Sequence, residues 1–335
     1  MITPEQYELK KREFAAEPWL FFAEYPSSDD EAFRESGRPR FAWLPDENDC
    51  PDFEYHGWIE DSTEGLILEL EPPGEGMNAP LALAYPPEAI DFGKQFVIAA
   101  DPALGVGGDY SAAHILTMLD DGTPEIVGYY RSNTIEPGDW AAELDSIGRY
   151  FRGGNQSAGL MVIENAGGIG VSIIDKLRNQ YNYPNLYRYL PPVQARRKRA
   201  AVFGFPTTKA TKPLVINRLA EWIVPDEAGQ CKLINVYQPL REELSTFVRR
   251  ENGTTAADIG CHDDLVMSLA IGVYVLLEEI SPVGNTVIGE TNQPGALQID
   301  LSEIYREAQE IGRMEERANR RFWSQHRRAT RRSRR

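Results

Sequence analysis

Four carboxylates stand where hydrolysis of a phosphodiester would use them. Asp101 closes the run "FVIAAD", Glu164 closes "GLMVIE", and the Asp263–Asp264 pair opens "DDLVMSLAIGVYVLL". The first two end short, uniformly apolar runs of strand length, and the pair begins a strongly apolar helix. Carboxylates are hard oxygen donors suited to Mg²⁺ or Mn²⁺. An acid at the mouth of a buried strand is costly unless a cation or hydrogen bonds offset it. Three such placements in one chain point to two divalent cations, Mg²⁺ or Mn²⁺, held by Asp101, Glu164, Asp263 and Asp264.

The flanking elements must bring these acids together. "FVIAAD" starts the core pattern at Phe96 and runs into the Gly-rich turn "PALGVGGDYS". "AAHILTML" and "EIVGYYRS" are strands joined by the hairpin signal "DDGTP". "EPGDWAAELDSIGRYF" sets Trp140, Leu144, Ile147 and Phe151 on one helical face. "GLMVIEN" is a second buried strand, "GIGVSIIDKLRNQY" a second helix and "NLYRYL" a short fifth strand. "TKPLVINRLAEWIV", "PLREELSTFVRR" and the run from Asp263 are three further helices. This is the order of a ribonuclease H-like α/β domain, a mixed five-stranded sheet flanked by helices. In that topology the first strand is central and the fourth lies beside it in parallel. Asp101 and Glu164 then emerge side by side at one sheet edge, within reach of the N-terminus of the last helix. Three carboxylates there can hold two ions roughly 3.5–4 Å apart, the spacing used for in-line attack on phosphodiesters.

Several residues near these acids have two readings each. Asp109 in "GGDYS" is an outer partner of the metal ligands or a turn residue bonding its own backbone. His262 could tune the site or simply enter the helix. Asp263 suits the N-cap, which makes Asp264 the better ligand, though the reverse assignment stands equally. The segment "GFPTTKATKP" offers Thr207, Thr208, Lys209, Thr211 and Lys212 ahead of a helix. These are candidate phosphate contacts, or else a solvated loop with an N-cap. Arg196, Arg197, Lys198 and Arg199 form a basic cluster that could also meet DNA.

The 335 residues divide into four expected parts. Residues 1–37 are helical, 38–93 a β-rich ornament, 94–281 the nuclease-like domain, and 282–335 a linker, charged helix and basic tail. The net charge of −16 argues at first against a nucleic-acid partner. From Arg313 onward, however, ten arginines face two glutamates, about +8, which leaves about −24 on the remainder. An acidic body with a basic tail is compatible with DNA work. Cys50, Cys231 and Cys261 show no pair spacing, which speaks against a disulfide framework or zinc site and for a reducing compartment. The polar start "MITPEQYELKKREF" is not a signal peptide, and the longest apolar run, Leu265 to Leu277, is too short to span a bilayer.

The motifs "VIAADPALGVGGDYSAA", "MVIENAGGIG", "GFPTTKATKP" and "HDDLVMSLAIG" resemble, in order and separation, the C-terminal nuclease domain of tailed-phage large terminase subunits. The likeness covers roughly residues 94 to 280, and "FFAEYPSSDDEAF" looks like the segment joining that family's motor to its nuclease. The resemblance implies an endonuclease that cuts concatemeric viral DNA at the start and end of packaging in the host cytoplasm. It also implies double-stranded DNA, a motor domain or subunit, a small terminase and a portal as partners. Carried over by position, Asp101, Glu164 and the Asp263–Asp264 pair are the metal ligands. The chain departs from the family pattern in lacking a Gly-x4-Gly-Lys-Ser/Thr loop, so no ATPase is expected of it.

Three other readings compete. A junction resolvase or transposase would carry a similar metal site. A nucleotide-binding oxidoreductase is suggested by "ALGVGGDY" and "ENAGGIG", but neither gives the Gly-x-Gly-x-x-Gly fingerprint. A packaging adaptor without cleavage could use the basic tail, but the intact acids weigh against it.

Overall fold

Apolar runs buried on both faces build the main sheet, with helices covering each side. The computed structural model describes residues 38–62, 65–71, 79–154, 157–166, 168–190, 201–250 and 253–280. The expected helix of residues 1–37, the linker, charged helix and tail of 282–335, and the cluster Arg196 to Arg199 lie outside the described residues.

A short strand β1 (Arg38–Pro39) opens the described chain. It is followed by β2 (Tyr55–Ser62), β3 (Gly65–Leu70), β4 (Leu81–Leu83), β5 (Val97–Asp101), β6 (Ser111–Met118), β7 (Pro124–Ser132) and β8 (Leu160–Ile163). Among the described residues β2 to β8 form a seven-stranded mixed sheet in the order β3-β2-β4-β7-β6-β5-β8. β5 and β8 pair in parallel, whereas β5–β6 and β6–β7 are antiparallel. The expected mixed sheet is therefore present, with seven strands rather than five. The two descriptions differ because β4 pairs with β7, Leu81 opposite Tyr130 and Leu83 opposite Gly128, and so adds β2–β4 to the same sheet. "NLYRYL" yields only β9 (Arg188–Tyr189), which pairs with β10 (Val202–Phe203) in a separate two-stranded sheet. Among the described residues, this side element meets the β8 end of the large sheet through the bridges Met161–Leu186 and Glu164–Phe205. Pro184, ahead of this segment, cannot donate a ladder hydrogen bond.

Helices α1 (Pro137–Tyr150) and α2 (Gly168–Asn179) cover one face. There Trp140, Leu144, Ile147, Ile173 and Leu177 pack on Ile98, Ala100, Met161 and Ile163. The other face carries α3 (Lys212–Ala220), α4 (Gln238–Thr246) and α5 (Asp264–Val275). The alternate residues Val97, Ala99 and Val162 meet Val215, Leu219, Leu240, Leu265 and Leu269 there. This period of two puts Asp101 and Glu164, next in each strand, on the α5 face. Residues from Leu265 to Val273 of α5 are all buried. Each fully buried Leu, Ile or Val contributes about 1.5–3 kcal/mol, so the helix that begins at Asp264 is firmly seated.

The expected helix "PLREELSTFVRR" ends early. Phe247–Arg249 form β11, which pairs with β12 (Thr255–Ala257) and with β1. Phe247 and Val248 favour a pleated surface, and the neighbouring strands supply the ladder that a longer helix would forgo.

Candidate metal centre

The site grows out of the parallel pairing of β5 and β8. Their register runs from Val97 opposite Leu160 to Ala100 opposite Ile163, so Asp101 and Glu164 follow as the next row. The Glu164 N–H donates to the Ala100 carbonyl at 2.8 Å and holds the chain at that position. Two glycines permit the surrounding turns. Gly105 sits at φ +73° where a Cβ would overlap the Ile135 carbonyl oxygen, and a Cβ on Gly170 would overlap that of Glu164. Gly105 and Gly170 thus serve close backbone approach, whereas Gly107, Gly108 and Gly168 have nothing within 4 Å of where a Cβ would stand.

Burial, above all, pushes the Asp101 carboxyl well above the usual carboxylate range. The Glu164 charge adds to this, as does a hydrogen bond to Glu164 that only protonated Asp101 can donate, and the charges of Asp264 and Asp263 act in the same direction. Asp264 is the first residue of α5, and its carboxyl is pushed up to about 6 by burial. The Tyr110 N–H, donating to its Oδ2 at 3.0 Å, opposes that shift, and Asp109 and Asp263 reinforce it. Four acids thus converge in mutual repulsion at one sheet edge.

Asp263 occupies the N-cap position of α5 but makes no side-chain capping bond. Its Oδ2 instead faces the Lys212 ammonium at 3.5 Å. Capping is done by Glu243 of α4, whose Oε2 accepts from the N–H groups of Leu265 at 2.8 Å and Val266 at 3.4 Å. The other oxygen of Glu243 takes the Arg131 guanidinium at 3.1 Å. The sequence reading missed Glu243. One signal was present: this glutamate lies on the buried face of its helix between Leu240 and Leu244.

Asp109 and His262 come to the same place as Asp264. One ligand atom from each of the three lies within 4.8 Å of the others. His262 Nδ1 is 3.7 Å from Asp264 Oδ2 and 3.9 Å from Asp109 Oδ1, beyond hydrogen-bond range. The donor set suits a divalent cation: hard carboxylate oxygens, one imidazole, and like charges that a cation would relieve.

The "GFPTTKATKP" loop leads into α3 beside Asp263. Its hydroxyls serve the turn itself: Thr208 Oγ1 accepts from the N–H groups of Ala210 and Thr211, both at 3.2 Å. Thr211 Oγ1 accepts from the Thr208 N–H at 2.8 Å and donates to the Pro206 carbonyl. Lys209 is exposed, and the buried Thr207 hydroxyl has no hydrogen-bond partner among the described residues.

The parallel pair lies at one side of the seven-stranded sheet rather than at its centre, because β2–β4 extend the far side. Such a pair with an acid at the end of each strand, and a helix delivering further acids to them, is the ribonuclease H-like arrangement. Residues 98–273 match the family model described as the terminase RNaseH-like domain, and the chain belongs to that family, a family of nucleases. Among the described residues no helix is long and apolar enough to cross a membrane.

Proposed function

We propose that the protein is a metal-dependent DNA endonuclease that cuts concatemeric viral DNA during genome packaging in the host cytoplasm. The observation that carries this reading is the convergence of Asp101, Glu164, Asp263 and Asp264 at one end of the β5–β8 pair, with Asp101 held far above its ordinary protonation range. Asp101, Glu164 and Asp264 would hold two divalent ions, Mg²⁺ or Mn²⁺. Once bound, such ions supply activation of the attacking water and stabilisation of the leaving 3′ oxygen. Asp263, tied to Lys212, adds negative charge from the outer side. His262 and Asp109 flank Asp264 and can orient it or add donors.

The chain's own residues do the rest. Asp101 would hold the cations as its carboxylate, so their binding would release the proton that burial and Glu164 favour there. Lys212 stands where a phosphate could take its ammonium from Asp263. Thr208 and Lys209 lie on the same loop as candidate contacts to the DNA backbone, joined by Arg196, Arg197, Lys198 and Arg199. Partners in this reading are double-stranded DNA, a terminase motor domain or subunit, a small terminase and a portal. It assigns no ATP turnover to these residues.

The substrate panel that tests the reading is linear duplex, four-way junction and RNA–DNA hybrid, each with Mn²⁺. Duplex cleavage is expected. A strong preference for the junction would favour a resolvase instead.

A further inference from the structure

Asp264 is enclosed by a ring of contacts that the metal chemistry does not itself require. Arg131 lies in β7 opposite Ala112, which is opposite Asp101, so it shares their row across the sheet. Its guanidinium carbon stands 3.9 Å from the centre of the Tyr110 ring. The Tyr110 N–H holds Asp264 Oδ2 at 3.0 Å, and its ring meets His262 edge-on at 5.1 Å. On its other side Arg131 donates to Glu243, 3.1 Å away and 5 % exposed. Glu243 in turn accepts the N–H groups of Leu265 and Val266.

We infer that Arg131 and Glu243 are positioning residues that clamp Asp264 for metal binding, one fixing the helix that carries it and the other the loop that grips its carboxylate. The inference rests on the metal-centre reading above. The contacts explain why both partners are needed. Without Glu243 the first N–H groups of α5 lose their acceptor, and the start of the helix is free to fray. Without Arg131 the Glu243 charge is buried unpaired, and the Tyr110 loop loses the plane it stacks on. A planar guanidinium can lie flat on a ring while its edge donates to a carboxylate; an ammonium is a point charge with no plane to stack. Groups that orient metal ligands in this way typically change metal affinity 10–100-fold when removed.

The test is titration of Mn²⁺ into the folded protein by calorimetry, at a temperature well below the thermal midpoint of every variant. Glu243→Gln and Arg131→Lys are expected to weaken Mn²⁺ binding about tenfold or more. The double variant should be no worse than about the poorer single one, since both cut the same ring. Tyr110→Phe keeps the ring and should bind as wild type, whereas Tyr110→Leu should fall with Arg131→Lys. In cleavage assays the single variants should lose kcat at limiting Mn²⁺, recover it at high Mn²⁺, and keep the KM for DNA. Folded variants that bind Mn²⁺ like wild type, even if less stable, would overturn the clamp and leave only a structural role. Asp264→Ala is the control: if it too binds Mn²⁺ like wild type, the metal-centre reading fails, and the clamp with it.

Discussion

His114 gives the molecule a pH dependence that can be worked out from its surroundings. It lies in β6 with no solvent exposure, Nδ1 at 2.9 Å from the Ser268 hydroxyl and Nε2 at 2.9 Å from the Tyr237 hydroxyl. Burial lowers its pKa from 6.5 to about 3. Ser268 lies one turn beyond Asp264 on α5, so this contact helps set the helix on the sheet. A base whose folded pKa is depressed stabilises the fold fully above the unfolded pKa. That stabilisation is lost as pH falls from about 6.5 toward 3, because the unfolded chain takes up a proton that the folded one refuses. At pH 5 the unfolded imidazole is 1.5 units below its own pKa, which amounts to a loss of about 2 kcal/mol relative to pH 7.5. His114→Gln removes this titration while keeping polar atoms in the same space. Urea unfolding of both proteins at pH 7.5 and pH 5 in EDTA isolates it, since the acids are common to both. The variant should be the less stable at pH 7.5, and the gap should narrow by about 2 kcal/mol at pH 5. A gap that does not change with pH would refute the reasoning.

Other outcomes follow from the same coordinates. Asp264→Asn keeps an acceptor for the Tyr110 N–H but removes a carboxylate held at about 6, so without metal it should stabilise the fold by up to about 3 kcal/mol at pH 8. The gain should shrink as pH falls through 6 and be mostly gone by pH 4, where the folded group is protonated and the unfolded one is close to its own pKa, and urea titrations at both pH values would show it. Gly170→Ala drives a Cβ into the Glu164 carbonyl and should cost about 1–3 kcal/mol, read as a lower unfolding midpoint. Lys212→Gln should weaken duplex binding and reduce the salt dependence of the binding constant by about one unit of slope, measured by anisotropy across a salt series.

The sequence announced the strands and their acids because buried strands read as unbroken apolar runs, and an acid ending such a run is conspicuous. The β5–β8 register then needed only the strand order. The seven-stranded extent was hidden, because β4 is three residues long and finds β7 across an intervening 40 residues of chain. The grip on Asp264 was hidden for the same reason: Tyr110 reaches it across 154 positions and Arg131 reaches Glu243 across 112. Local pattern carries no trace of such pairs. Only the anomalous glutamate on the apolar face of α4 hinted at them. The choice between Asp263 and Asp264 was likewise not decided by type or spacing. The structure separates them by partners, Lys212 for one and the Tyr110 backbone for the other.

The most direct test of the central claim is plasmid cleavage by the purified chain in Mn²⁺, Mg²⁺, Ca²⁺ and EDTA, with Asp101→Asn and Glu164→Gln alongside. The account predicts cutting in Mn²⁺ or Mg²⁺, none in EDTA, and loss of cutting in both variants while their circular dichroism stays that of the wild type. Cleavage that persists in EDTA, or in both folded variants, would contradict it.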